Sequence, residues 1–186
     1  MRIVVAISGA SGGAYGVRTL EILKEKGVET YLILTEHGKK ILKHETGKGK
    51  KDLTELVDGS FSNDDLAAPP ASGSFPVDGM LIIPCSISTA SKIACGIGDN
   101  LVTRAAAVAL KERRRLVVAV REAPLSTIHL GQLATLSGAG TVVMPLSPAF
   151  YNRPSTLEEV VDSTARKAVS LLGVPGAGVR PWPGLK

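Results

Sequence analysis

Residues 84–89 read Pro84-Cys85-Ser86-Ile87-Ser88-Thr89 and follow a short apolar run at Met80, Leu81, Ile82 and Ile83. Such a run reads as a buried strand, and the small polar residues after it as the start of a helix. Hydroxyls therefore crowd the carboxyl end of a strand. In an open α/β sheet ligands bind at that edge, and helix-start amides favour anions. A second stretch of this kind, Ser8-Gly9-Ala10-Ser11-Gly12-Gly13, follows the strand-like residues 2–7. Two hydroxyl-rich, small-residue strand ends point to a phosphate-bearing cofactor. Gly9-Ala10-Ser11-Gly12 lacks the G-x-G-x-x-G spacing of a dinucleotide fingerprint. It is either a tight turn that needs small residues or a cradle in which Ser11 bonds a phosphate or a ring oxygen. Thr35 ends the second strand where dinucleotide folds place an acid, and Glu36 comes one residue late, which weakens a nicotinamide reading.

Further groups follow the later strands. Asp99 or Asn100 reads as a helix cap, and Arg104 sits one turn in, as a solvated side chain or a phosphate ligand. Arg121-Glu122-Ala123-Pro124 follows an apolar run. Either it is a surface ion pair, or Glu122 is a half-buried general acid or base with a raised pKa. His129 on the next helix reads as an ordinary helix residue. Phe150 and Tyr151 stand between Pro148 and Pro154, as a lid, an oligomer contact, or a phosphate contact through Tyr151. Cys85 and Cys95 lie in apolar settings without metal spacing and read as buried, reduced thiols.

The elements that must hold these groups alternate in type. Strands are expected at residues 2–7, 29–34, 77–83, 116–120 and 141–144. Helices are expected at 13–26, with Gly27 as its stop, and at 36–45, 99–113 and 125–136. A last helix runs to about 172 behind the capping box Ser155-Thr156-Leu157-Glu158. Residues 46–76 read as a long surface excursion. Residues 1–174 form the expected domain and 175–186, rich in Gly and Pro, an extended tail. The alternation implies α/β architecture: a three-layer, doubly wound parallel sheet of the Rossmann or flavodoxin-like kind, apolar on both strand faces.

The chain has 186 residues, 22 basic against 17 acidic, and a net charge of +5. Part of that surplus lies in Lys111-Glu112-Arg113-Arg114-Arg115, read as a helix end where cations suit the carbonyls. Aromatics make up only 4% and do not interleave with the basic residues, which argues against nucleic acid. No apolar run reaches membrane-span length, and no leader segment is expected, since Met1 runs directly into the first expected strand. A cytoplasmic enzyme or binding protein is expected.

Taken together, the motifs resemble the flavin prenyltransferases, the UbiX/Pad1 family. The matching stretches are Gly9-Ala10-Ser11-Gly12 with Tyr15-Gly16, residues 69–74 (PPASGS), and Pro84-Cys85-Ser86. They continue with Asp99-Asn100-Leu101, Arg104-Ala105-Ala106, residues 110–114 (LKERR), Arg121-Glu122-Ala123-Pro124-Leu125 and Pro148-Ala149-Phe150-Tyr151. They span about residues 3–173. The resemblance implies transfer of a dimethylallyl group from dimethylallyl monophosphate to N5 and C6 of reduced FMN. No metal takes part, and the product is prenylated FMN for UbiD-type decarboxylases. It implies flavin contacts from Gly9, Ala10, Ser11, Thr35, Ser86, Ser88, Thr89 and Arg104. It implies donor contacts from Ser72, Gly73, Lys111, Arg121, Glu122, Tyr151 and Lys167. Ser11, Glu45, Lys111 and Glu122 would be catalytic, with Glu45 reaching in from a neighbouring subunit's edge. A homo-oligomer, a dodecamer by resemblance, is expected, with neither nucleic acid nor membrane as partner. Lys167 stands where Arg is common, Asn152 where His is, and Thr35 where Ser is. Two other readings share the flavin-binding architecture, a cysteine-type decarboxylase and a non-enzymatic flavin carrier. The Lys111, Arg121-Glu122 and Tyr151 set favours prenyl transfer over the decarboxylase, which needs no prenyl-phosphate clamp; a carrier would bind flavin but ignore dimethylallyl phosphate.

Overall fold

The apolar and β-branched runs form strands β1 (Arg2–Ile7), β2 (Glu29–Leu34), β4 (Gly79–Cys85) and β5 (Arg115–Val120), with shorter β3 (Gly59–Ser62) and β6 (Val142–Pro145). The computed structural model describes residues 1–178 and Gly184. It pairs all six strands in parallel in the order β3-β2-β1-β4-β5-β6. Between them run α1 (Gly13–Glu25), α2 (Glu36–Thr46), α3 (Lys50–Thr54), α4 (Ile87–Ala94), α5 (Leu101–Lys111) and α6 (Thr127–Gly138), and α7 (Leu157–Leu171) follows β6.

Parallel strands need crossovers, and the crossovers cover both faces. On one face α1 and α7 set Leu20, Leu23, Ala165 and Val169 against Ile3, Val5, Leu81 and Val117. On the other, α4, α5 and α6 set Ala90, Val102, Ala106 and Leu136 against Val4, Ala6, Ile82 and Val118. Every residue of β4 is buried. This is the expected three-layer doubly wound sheet. Strand order reverses between β1 and β4, which makes a crevice at their carboxyl ends the natural ligand site.

Several local expectations are corrected. Residues 46–76 are not a bare excursion: they contain α3, the edge strand β3 and a 3-10 turn at Pro69–Ala71. In β3 only Phe61 is apolar, so the strand has no hydrophobic pattern to read. The cap of α5 is Asn100, and α6 starts two residues later than expected, behind Ser126. The cap of α7 is Thr156, not Ser155, because Glu159 rather than Glu158 turns back to the Ser155 amide and hydroxyl. The basic run does close α5: Lys111 is its last residue, Glu112 caps it, and Arg113 turns the chain with φ 56 while the Arg113 and Arg114 amides donate to the Leu110 and Ala109 carbonyls; only Arg115 already belongs to β5. Cys85 is buried, but Cys95 is exposed. The tail begins by docking, with Val174 and Ala177 buried; the expectation for Trp182 lies outside the described residues. Among the described residues no helix is long and apolar enough to cross a membrane.

Candidate active site

Ser8 stitches the crevice together. Its hydroxyl donates to the Pro84 carbonyl at 3.1 Å and accepts from the Ser86 amide at 2.7 Å. Neighbouring strand ends are joined in the same way. The Thr35 amide donates to Ile7, the Arg121 amide to Cys85 and the Leu146 amide to Val120. The loops after β1, β2, β4, β5 and β6 therefore stand in one row, backed by the sheet.

At the start of α1, Gly12 takes φ 110, a conformation that L side chains rarely adopt. The turn aims the Gly12 and Gly13 amides at Glu45, whose Oε2 accepts both, at 2.9 and 2.7 Å. Burial alone would raise the Glu45 pKa. Hydrogen bonds from the Ser11 hydroxyl and the two amides, with the Arg121 charge, outweigh it and hold the carboxyl below its ordinary range. Glu45 thus reaches this site from α2 of its own chain, which corrects the expected neighbouring subunit. Its carboxylate occupies the anion position of α1. Behind it, Gly16 lets α1 press on the sheet: a Cβ there would lie 2.7 Å from Ile7 Cδ1 and 2.9 Å from the Ile83 carbonyl. Gly9 lies against His37 at the start of α2, and Ala10 is buried.

The start of α4 remains open to an anion. Ser86 caps it, its Oγ accepting from the Thr89 amide and lying 2.9 Å from Thr89 Oγ1, while Ser88 is exposed. Thr35 spends its hydroxyl as acceptor for the Gly38 amide, capping α2. Asn63, after β3, accepts the Leu101 and Val102 amides and so fixes the first turn of α5 at this edge. One turn on, Arg104 donates through Nε to the Ala71 carbonyl at 3.0 Å. Its terminal nitrogens make no hydrogen bond among the described residues. Hydroxyls, helix-start amides and a guanidinium are the donor set a flavin phosphate needs.

Arg121 and Glu122 follow β5. Glu122 is exposed, not half-buried, and its Oε1 accepts from the Ala123 amide at 3.1 Å. Past β6, Tyr151 and Lys167 line one cavity of about 340 Å³ together with Met144 and Ala149. Lys167 comes from α7, so that helix shapes the cavity as well as the core. Lys111, Ser72 and Gly73 are elsewhere. Since α5 starts at the carboxyl edge, Lys111 at its end lies at the opposite edge, near the start of β5. There Lys111 pairs with Glu112, and both press on Gly73. Arg114 holds that loop through the Gly73 and Phe75 carbonyls at 2.6 and 2.9 Å. The fold of one chain does not bring Lys111 and Gly73 to the crevice, while Ser72 follows directly on Ala71, whose carbonyl Arg104 holds.

Burial pushes the Cys85 thiol up to about 12, which removes it as a thiolate nucleophile. The His129 ring accepts the Ser126 amide in the cap of α6. Sequence reasoning passed over Ser8, Gly16, Asn63 and Arg114 as agents of the site. Only Gly16 carried a signal, since a glycine one turn into a helix behind a strand marks close packing.

Residues 1–169 match the family described as Flavoprotein. Over 182 residues the chain is 48% identical to the flavin prenyltransferase UbiX of Thermoplasma acidophilum, covering 98% of this chain and 100% of that one. Two solved structures superpose with a TM-score of 0.95. The dodecameric FMN-dependent UbiX-like decarboxylase of Escherichia coli O157:H7 is 41% identical, with all of both chains covered. AnUbiX (PadA1) in complex with FMN and dimethylallyl pyrophosphate is 39% identical, covering 100% of this chain and 98% of that one.

Proposed function

The chain belongs to the UbiX flavin prenyltransferases, and from that membership we propose that it transfers a dimethylallyl group from dimethylallyl monophosphate to N5 and C6 of reduced FMN. One observation carries the reading. A hydroxyl, amide and guanidinium cradle and a cavity bearing Tyr151 and Lys167 stand on the same sheet edge, with Arg121 and Glu122 between them.

Ser86, Ser88, Thr89 and Arg104 hold the flavin phosphate. Gly9, Ala10, Ser11 and Thr35 line the ring side. Tyr151, Lys167 and Arg121 hold the donor phosphate and stabilise its charge as it departs. The donor's C1–O bond breaks, and its electron pair leaves with the phosphate. One bond forms to N5, which gives up a proton. A proton then added to the donor's remaining double bond is balanced by the proton lost from C6 as the second bond forms. Glu122 carries protons at this edge, with the departed phosphate as a further base, and Glu45 orients Ser11. Met144 and Ala149 give the donor's apolar end a water-poor wall. No metal is required.

Lys111, Ser72 and Gly73 join the site from another subunit of a homo-oligomer, dodecameric as in the E. coli relative. The protein works in the cytoplasm and supplies prenylated FMN to a UbiD-type decarboxylase. The test is anaerobic: protein, reduced FMN and dimethylallyl monophosphate, with the flavin read by mass spectrometry. A gain of one five-carbon prenyl unit is expected. Flavin that binds but stays unmodified would overturn the reading.

A further inference from the structure

Segment 63–71 grips α5 at both of its ends. At one end the Asn63 carbonyl accepts the Leu101 amide at 2.8 Å, and Asn63 Oδ1 accepts the Val102 amide at 3.2 Å. At the other the Ala71 carbonyl accepts from Arg104 Nε at 3.0 Å. The chain between them is stiff. Pro69 and Pro70 fix their own φ. The Ala67 amide donates to Asp65 Oδ1, the Ala68 amide to the Asp65 carbonyl, and the Ala71 amide to the Ala68 carbonyl. Ala68 and Ala71 are buried in one core cluster with Leu101, Val102 and Ala105.

This strap decides what α5 can offer a ligand. A helix start carries four amides without partners inside the helix, and in α5 all four are spent. Two go to Asn63. The Thr103 and Arg104 amides go to the Asn100 side chain and carbonyl, at 3.1 and 2.9 Å. The start of α4 differs, because its Ile87 and Ser88 amides make no hydrogen bond among the described residues. An anion therefore meets α5 through the Arg104 side chain. With Nε held by Ala71, the two terminal nitrogens remain as a fork of the kind that matches phosphate oxygens. Asn63 fixes the turn that carries the Arg104 backbone, and Ala71 fixes its side chain. Ordering that is complete before the ligand arrives is not charged against binding.

We propose that Asn63 is a positioning residue that sets the preference for a phosphorylated flavin over the same flavin without its phosphate, acting through Arg104 and not by touching the ligand. This rests on the assignment of Arg104 to the flavin phosphate. The test measures Kd for FMN and for riboflavin in the wild type, Arg104→Ala, Asn63→Ala and the double variant, by flavin fluorescence. The quantity read is the ratio of the riboflavin Kd to the FMN Kd. Arg104→Ala should lower it by about tenfold, for one charge-assisted contact. Asn63→Ala should lower it by about fivefold, the worth of one hydrogen bond. Riboflavin affinity should stay as in the wild type, which also shows that the variants fold. In the Arg104→Ala background, Asn63→Ala should change the ratio by less than about twofold, since residues acting as one unit are not additive. Riboflavin and FMN weakened equally by Asn63→Ala would mean a merely structural role and overturn the proposal. So would a full fivefold fall in the Arg104→Ala background. A ratio that falls in Arg104→Ala but not in Asn63→Ala overturns the role of Asn63 alone. A ratio unchanged in Arg104→Ala overturns the phosphate assignment and this proposal with it. If Asn63→Ala does not fold, Asn63→Ser, which shortens the acceptor's arm, is read in the same way.

Discussion

Glu45 sits where an incoming anion would meet α1, so in the proposed function the flavin phosphate is assigned to the start of α4 and to Arg104. The depressed Glu45 pKa has a sign that can be worked out. The folded value lies below the ordinary 4.5, so the carboxylate contributes stability that is present above 4.5 and is lost as pH falls through the folded value. Over that acid window the wild-type melting temperature should drop more than that of Glu45→Gln, and parallel curves would refute the claim. Glu122 is set apart from Glu45 by exposure. Glu122→Gln should leave FMN affinity unchanged and slow prenyl transfer by about 10²-fold, the low end for general acid–base groups. An unaltered rate would remove Glu122 from the proton path. Arg104→Ala should weaken FMN binding by about tenfold, for one charge-assisted contact. Fluorescence titration of the flavin reads it, and an unchanged Kd would sink the assignment.

At the scale of elements, the site depends on how closely α1 meets β1 and β4. Gly16→Ala drives a Cβ into Ile7 and the Ile83 carbonyl. It should cost about 1–3 kcal/mol in denaturant unfolding, the usual range for overpacking, and weaken FMN binding as the turn at Gly12 shifts. What the sequence revealed follows the same physics. β1, β4 and β5 are nearly continuous apolar runs, as strands buried on both faces must be, so they and their ligand-bearing ends could be read directly. β3 could not, because Gly59-Ser60-Phe61-Ser62 at the sheet edge buries little. The α7 cap slipped by one residue because Ser155 and Thr156 both suit a cap, and so do Glu158 and Glu159 three residues on. Glu45 was attached to the wrong subunit because nothing local connects it to amides more than thirty positions away. Ser8 was silent for the same reason: its partners lie on a strand formed much later in the chain.

At the scale of the whole molecule, the residues proposed to hold the donor stand at two opposite edges. Arg121, Glu122, Tyr151 and Lys167 follow the carboxyl ends of β5 and β6, and Lys111 stands with Gly73 near the start of β5. If the edges meet only between copies, two inactive variants can repair each other. Mixing Lys111→Ala with Glu122→Gln and allowing subunits to exchange should restore a measurable fraction of prenyl transfer, because some sites then receive both native residues. Activity that stays at the level of the separate variants would mean that both residues act within one chain. Ile128 on α6, Phe150 after β6 and Leu157 on α7 are each about 70% exposed, separate apolar side chains of the kind that assembly would cover. The Ser8 clasp has a consequence for folding. Its hydroxyl and the Pro84 carbonyl are 76 positions apart, and closing so long a loop costs chain entropy before any contact repays it. A partly folded chain whose β1 has not met β4 therefore has no crevice, however well each half is formed. A ligand held across it recognises only the finished topology and adds its binding energy to the fold, about 2.7 kcal/mol at a hundredfold excess over Kd. Newly made chains that meet flavin would thus be selectively spared from unfolding and proteolysis, which couples the protein's abundance to the supply of its own acceptor.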